Sequence, residues 1–225
     1  MLITGFAAGM FQTNCYVLAP AAGGECVIVD PGQDAMEALT SLVAEHGLTP
    51  TAVLVTHGHL DHTWSVAPAC AHYGVPAYVH PDDRPMLADP AIGMGSAMSQ
   101  IIGDATFEEP AEVIEVGQDA VIETAGMRLT TEHTPGHTRG SICLRTPVAT
   151  EAGTVEVVLT GDTLFAGSIG RSDLPGGNHQ QLLDSIAARL LPLPDDAVIL
   201  PGHGGTSTIG RERAANPFLT GLTPG

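Results

Sequence analysis

The sequence predicts a single mixed α/β domain over residues 1–225. Three observations carry that expectation. Short apolar runs rich in Val, Ile and Leu recur between Gly, Pro and Asp punctuation along the whole chain, as buried strands do. Stretches with helical spacing, after Asp34 and after Asn178, alternate with those runs. The length of 225 residues is enough to bury a full core, and 44% hydrophobic content argues against disorder.

Taken in order, Leu2-Ile3-Thr4-Gly5-Phe6 and Asn14-Cys15-Tyr16-Val17-Leu18 read as strands, and Ala21-Ala22-Gly23-Gly24 turns into the strand Cys26-Val27-Ile28-Val29. Asp30-Pro31-Gly32 stops that strand. Asp34 is placed to cap a helix whose apolar residues Met36, Leu39, Leu42 and Val43 recur at helical spacing, with Gly47 as terminator. Val53-Leu54-Val55 is a short buried strand. Residues 65–73 form a helix entered at Trp64 and ended by Gly74, with Pro68 in its first turn, and residues 75–80 form another strand. His80-Pro81-Asp82-Asp83 opens a short helix that stops before Asp89-Pro90. Residues 93–103, with Met94, Met98, Ile101 and Ile102, suit core filler, a lid or a contact between two copies of the chain in a homo-oligomer, because flexible Met side chains serve all three.

Strands dominate the second half, at residues 112–116, 120–123, 127–132, 141–145 and 155–160, with turns at Gly117, Gly126 and Gly153. Asn178 caps a helix that runs to residue 191 through Leu182, Leu183, Ile186 and Leu190; a strand at 197–200 and a last helix at 210–218 follow. There is a weak internal echo. Residues 14–18 followed by 27–32 resemble residues 141–145 followed by 157–162, each a hairpin leading to an Asp at a strand end, which hints at two similar halves.

Charge removes several function classes. Asp+Glu number 25 against 8 Lys+Arg, a formal net charge of -17, and the chain contains no Lys. Such a surface repels phosphate backbones, so nucleic acid is not expected as a partner. No basic region precedes a long apolar stretch, and no run is apolar enough to span a bilayer, so a soluble cytoplasmic protein without membrane partners is expected. Cys15, Cys26, Cys70 and Cys143 form no Cys-x-x-Cys pair and lie in apolar surroundings, which reads as buried reduced thiols.

The stretch with chemistry is Thr56-His57-Gly58-His59-Leu60-Asp61-His62, directly after an apolar run. In an extended segment alternate side chains share a face, so His57 and His59 would address one metal ion, and a turn into a helix would swing Asp61 and His62 toward a second. His137 lies in the tight turn His133-Thr134-Pro135-Gly136-His137-Thr138, Asp162 follows the 155–160 strand, and His203 sits in Pro201-Gly202-His203-Gly204. All of these candidates fall at one edge of a predicted sheet, where open α/β sheets place their sites. His46, His72, His80 and His179 have no such support.

The order His-x-His-x-Asp-His, then His, Asp and His in glycine-flanked contexts, resembles the metallo-β-lactamase superfamily over nearly the whole chain. Within it, Gly161-Asp162-Thr163-Leu164-Phe165, the loop from Gly167 through Arg171-Ser172-Asp173-Leu174-Pro175-Gly176-Gly177-Asn178, and the later Thr208-Ile209-Gly210 and Asn216-Pro217-Phe218 look like the short bacterial glyoxalase II-like hydrolases. The resemblance implies a four-layer αββα sandwich and two divalent metal ions. By position, His57, His59 and His137 would hold the first, Asp61, His62 and His203 the second, and Asp162 would bridge them. Imidazole and carboxylate without thiolate suit Zn²⁺ and equally Fe or Mn.

The implied chemistry is hydrolysis of a small-thiol thioester by a metal-activated hydroxide, with Asp61 either taking the water's proton while coordinating or serving purely as a ligand. Asp30 would steady the His-x-His-x-Asp-His loop, and His133 would support the site from behind. Arg171 would bind a substrate carboxylate or pin its own loop through an ion pair. The chain departs from the classical hydroxyacylglutathione hydrolases in lacking their C-terminal helical region and their basic residues, so the chemistry transfers better than the thiol specificity. A mononuclear-iron persulfide dioxygenase is the alternative enzyme class, and a metal-binding module without catalysis the non-enzyme one. β-Lactamase relatives place a Cys where Asp162 stands, and nuclease relatives carry a basic surface or an extra domain.

Overall fold

In the computed structural model, which describes residues 1–94, 102 and 105–223, the first six strands form one sheet in chain order. They are β1 (Leu2–Ala8), β2 (Thr13–Ala19), β3 (Glu25–Val29), β4 (Thr49–Leu54), β5 (Ala77–Val79) and β6 (Val113–Glu115). The first three pair antiparallel through short turns, and β4, β5 and β6 join in parallel. The second sheet repeats that scheme. Strands β7 (Val121–Thr124), β8 (Met127–His133), β9 (Ile142–Thr150) and β10 (Gly153–Gly161) pair antiparallel. After a small hairpin of β11 (Leu164–Phe165) and β12 (Ser168–Ile169), β13 (Val198–Pro201) returns parallel to β10, with β14 (Ser207–Thr208) at the edge.

Alternation along these strands stacks the layers. On β2, Val17 and Ala19 face one apolar cluster and Leu18 another; on β9, Leu144 and Cys143 divide in the same way, as do Leu159 and Val158 on β10. The shared cluster lies between the sheets, where Leu18, Val27, Val29 and Leu54 meet Leu129, Ile142, Leu144 and Leu159. The outer face of the first sheet is covered by α1 (Ala35–Glu45) and, beyond the short α2 (Leu60–Thr63), by α3 (Val66–Tyr73), through Leu39, Val43, Val66 and Cys70. The outer face of the second is covered, after the short α4 (Ala91–Met94), by α5 (His179–Ser185), its wider continuation over Ile186–Leu190, and α6 (Ile209–Ala215), through Leu182, Ile186, Leu190 and Ile209. Three apolar clusters between four layers make an αββα sandwich.

Three local expectations need correction. Asp34 stands at the start of α1 but in a left-handed conformation, φ +56°, with no side-chain cap bond. The helix expected from His80-Pro81-Asp82-Asp83 is a 3₁₀ turn that begins only at Arg84. The last helix breaks at Asn216, which is extended as residues before proline are, and a separate 3₁₀ turn covers Pro217–Leu219. The expected roles of residues 93–103 fall for the most part outside the described residues. All four cysteines are buried and unpaired, as expected. No helix among the described residues is long and apolar enough to cross a membrane.

Candidate metal centre

Both sheets deliver side chains to one end of the sandwich. The segment after β4 stays extended through His59 and then turns into α2, so His57 and His59 precede the turn while Asp61 and His62 ride on its first residues. The loop between β8 and β9 supplies His137, the end of β10 supplies Asp162, and the end of β13 supplies His203. Close approach dictates the glycines here. At Gly161, φ is +47°, and a Cβ on Gly202 would stand 2.3 Å from Asp162 Oδ1 and 2.5 Å from His62 Cε1.

All seven residues expected in the site meet. His137 Nε2 lies 3.2 Å from His57 Nε2 and 2.9 Å from His59 Nδ1. His203 Nε2 lies 3.1 Å and His62 Nε2 3.5 Å from Asp61 Oδ2. Asp162 stands between the trios, with Oδ1 3.2 Å from His62 Nε2 and Oδ2 3.6 Å from both His137 Nε2 and His203 Nε2.

The outer nitrogens explain why the inner ones offer lone pairs. His62 Nδ1 donates to Asp30 Oδ2 at 2.9 Å, His137 Nδ1 to the Arg171 carbonyl at 2.7 Å, and His203 Nδ1 to the Phe11 carbonyl at 3.1 Å. The Thr56 hydroxyl donates to Asp30 at 2.6 Å and is left to accept from His57 Nδ1 at 3.2 Å. With the outer proton so placed, Nε2 of these rings is an acceptor facing other acceptors. His62 Nε2 and Asp162 Oδ1 are buried and have no hydrogen-bond partner. Converging buried acceptors repel unless a cation lies among them, and ligands about 2.1 Å from a tetrahedral ion stand roughly 3.4 Å apart. The donor set therefore fits divalent metal.

Electrostatics divide the histidines. Burial, and then the neighbouring imidazoles His62 and His137, hold His57 well below its ordinary value; burial and His137 bring His59 down to about 3. Burial alone would raise Asp61 and Asp162, yet the adjacent histidines, His62 foremost, hold both below the usual carboxylate range. Burial opposes charge on His62 and His203 as well, yet Asp61 and Asp162 raise both above their ordinary values, so without a metal ion these two rings hold protons against the carboxylates. Neutral imidazoles and ionised carboxylates are the forms that bind metal, and an ion would take the place of those protons.

The residues expected to support the site divide. Asp30 does steady the loop: it accepts the Thr56 N–H at 2.8 Å as well as the Thr56 hydroxyl and His62. His133 stacks on His80 with centroids 4.1 Å apart and donates from Nε2 to the Arg139 carbonyl at 2.8 Å, so it braces the His137 loop and touches none of the seven. Arg171 takes part through its carbonyl; its guanidinium forms a bidentate pair with Asp173 at 2.8 and 2.7 Å on an exposed loop. A further group, His80, Asp82 and His133, has nitrogens and oxygens within metal-binding reach. Its rings stack nearly parallel, at 14°, and two of its nitrogens are already engaged, His80 Nδ1 by the Asp82 N–H and His133 Nε2 by the Arg139 carbonyl.

Sequence reasoning missed Thr13, whose hydroxyl donates to Asp61 Oδ2 at 3.0 Å. It also missed Glu212, buried on α6 and accepting the Gly167 N–H at 2.7 Å, and Asp83. Asp83 accepts the Gly58 and Gly140 N–H groups at 2.8 and 2.7 Å and the Thr138 hydroxyl at 2.6 Å. It lies a short turn beyond the end of β5 at Val79, whereas Asp30 and Asp162 directly follow their strands, so its signal in the sequence is weaker.

Comparison with known proteins gives this geometry its family. Residues 8–203 match the Metallo-beta-lactamase superfamily. The chain belongs to that superfamily. Among its relatives, the Mycobacterium leprae protein ML0493 is 52% identical over 99% of this chain and 100% of its own length. The Bacillus subtilis protein named probable metallo-hydrolase YqgX is 36% identical, covering 96% of each chain. The Haemophilus influenzae hydroxyacylglutathione hydrolase GloC is 34% identical, covering 93% of each. A crystal structure described as BLEG-1 B3 metallo-beta-lactamase superposes with a TM-score of 0.84 at 37% identity, over 98% of this chain and 100% of that one. The protein TTHA1623, in a di-iron-bound form, gives 0.79 at 33%, over 96% and 100%. The metallo-hydrolase class and a divalent-metal site follow from this membership.

Proposed function

We propose that the protein is a glyoxalase II-like hydrolase of small-thiol thioesters, releasing a hydroxy acid and the thiol. The observation that carries this is the closed set of two trios, His57/His59/His137 and Asp61/His62/His203, with Asp162 between them. The resemblance to GloC along nearly all of both chains supports it. Those seven side chains would hold two divalent ions, Zn²⁺ first and Fe or Mn as alternatives, the di-iron relative supporting the latter. Bound there, such ions would bring a coordinated water to a pKa of about 7 and so supply a nucleophile at neutral pH.

The chain's own residues do the rest. Asp162 joins the two trios, its Oδ1 beside His62 and its Oδ2 equally near His137 and His203. Asp61, fixed by Thr13 through Oδ2, is the carboxylate placed to take the water's proton. The departing thiolate needs no strong acid, which suits a site whose polar groups are acceptors. His203, with 30% of its side chain exposed, marks the open side, and Phe165 lies edge-on to it at 6.2 Å as an apolar wall for the substrate. Arg171 contributes to substrate binding only by leaving Asp173 for a substrate carboxylate. Four buried reduced cysteines support a cytoplasmic setting.

A second reading, hydrolysis of a β-lactam, is favoured by the name of the 37%-identical relative. One experiment separates the readings: metal analysis of purified protein with parallel assays on S-lactoylglutathione, a chromogenic cephalosporin and, by oxygen uptake, a persulfide. Two ions per chain and turnover of the thioester above the other two are expected, with loss of metal and rate in His59→Ala and Asp162→Ala. Rapid cephalosporin turnover without thioesterase activity, or one iron per chain with oxygen uptake, would replace this reading.

A further inference from the structure

We propose that Asp83 is a positioning residue of the first trio, a carboxylate that ties the His57/His59 loop to the His137 loop and sets both at ligation distance. The inference rests on the assignment of those three histidines as metal ligands.

Asp83 is fully buried. Its Oδ2 accepts the N–H of Gly58, the residue between His57 and His59, at 2.8 Å, and the hydroxyl of Thr138, the residue after His137, at 2.6 Å. Its Oδ1 accepts the Gly140 N–H at 2.7 Å. One side chain thus grips both ligand-bearing loops, and the loops come from different sheets. The two backbone partners are glycines for a steric reason: a Cβ on Gly140 would stand 2.7 Å from Asp83 Cγ, and one on Gly58 would stand 2.9 Å from the Asp83 carbonyl. Burial raises the Asp83 carboxyl, and the three donors act against that rise.

The second trio has other supports, in Asp30 on His62, Thr13 on Asp61 and the Phe11 carbonyl on His203. The consequence is selective. Three donors converge on two carboxylate oxygens, so an Asn at this position turns an NH₂ toward one of them, and the loops separate. Ligands misplaced by about 0.5 Å lose ligation geometry. The expected loss is therefore in the first ion, not the second.

The test is titration of metal-free protein with Co²⁺ and Zn²⁺ against a chelating indicator, with the Co²⁺ visible spectrum and the thermal unfolding of the metal-free forms recorded in parallel. Asp83→Asn should weaken one of two ions by about 10- to 100-fold, with altered Co²⁺ bands, and leave the other within a few-fold of wild type. Thr138→Val removes one donor without a buried charge change; it should show the same selective weakening to a smaller degree, and it carries the test where Asp83→Asn does not fold. Wild-type affinity for both ions in these variants, whatever their thermal stability, would make Asp83 a purely structural anchor and overturn the proposal. Absence of any bound ion in wild type would instead overturn the ligand assignment beneath it.

Discussion

Histidine is used in two ways in this chain, and the difference is where the second nitrogen goes. His57, His62, His137 and His203 each engage the outer nitrogen with a hydroxyl, a carboxylate or a backbone carbonyl, which leaves the inner one to face its neighbours. His80 stacks on His133 and accepts the Asp82 N–H at Nδ1. Burial, then His133, hold His80 below its ordinary value, while Asp82, Asp83 and Glu115 act the other way. A histidine depressed on folding contributes stability that is complete above about pH 6.5 and is lost as pH falls toward its folded value, because the unfolded chain takes up the proton first. His80→Gln removes that contribution. In urea unfolding at pH 7.5 and pH 5.5, wild type should lose more stability than the variant; equal losses would contradict the assignment.

Among the elements, α5 shows a helix start tied to the site. Asn178 Oδ1 accepts the Gln181 N–H at 3.1 Å, and the Asn178 N–H donates to the Gly136 carbonyl, one residue before His137. Gly136 itself has φ +132° and packs where a Cβ would stand 2.3 Å from Leu182 N, so the His137 turn lies directly on the helix. Asn178→Ala keeps the backbone bond and removes the cap. It should cost about 1 kcal/mol in equilibrium unfolding while bound metal per chain stays unchanged. Loss of metal in that variant would mean that the cap, rather than the backbone bond, positions His137. The internal echo is real at this level: the β2–β3 and β9–β10 hairpins each continue into a parallel neighbour, β4 or β13, and each ends in an aspartate of the site.

The molecule as a whole is two sheets held by an apolar middle layer and, at one end, by the ligand cluster. His57, His59, Asp61 and His62 come from the first sheet, and His137, Asp162 and His203 from the second. Ions bound there join the halves and stabilise only the folded chain. At a free metal concentration a thousand times Kd, one ion contributes about 4 kcal/mol, and for a chain of this size each kcal/mol moves Tm by roughly 2 to 4 °C. Chelation should therefore lower Tm by about 8 to 16 °C for each ion removed, reversibly on adding metal back. An unchanged Tm would show that the site contributes nothing to holding the sheets together.

Period and punctuation in the sequence determined nearly every strand and helix, because burial on one or two faces writes a repeat of two or 3.6 residues into the chain. Local spacing did the same for His57, His59, Asp61 and His62, which one turn of backbone brings together, and strand-end placement added His137, Asp162 and His203. Apart from Asp30, which the sequence already placed behind the loop, tertiary structure decided the groups that hold them. Asp83 reaches Gly58 across 25 residues and Thr138 across 55, Thr13 reaches Asp61 across 48, and Asn14 bonds the Pro201 carbonyl across 187. A single hydrogen bond between distant residues leaves no period and needs no special residue type, so only the packing of one sheet on the other makes it visible.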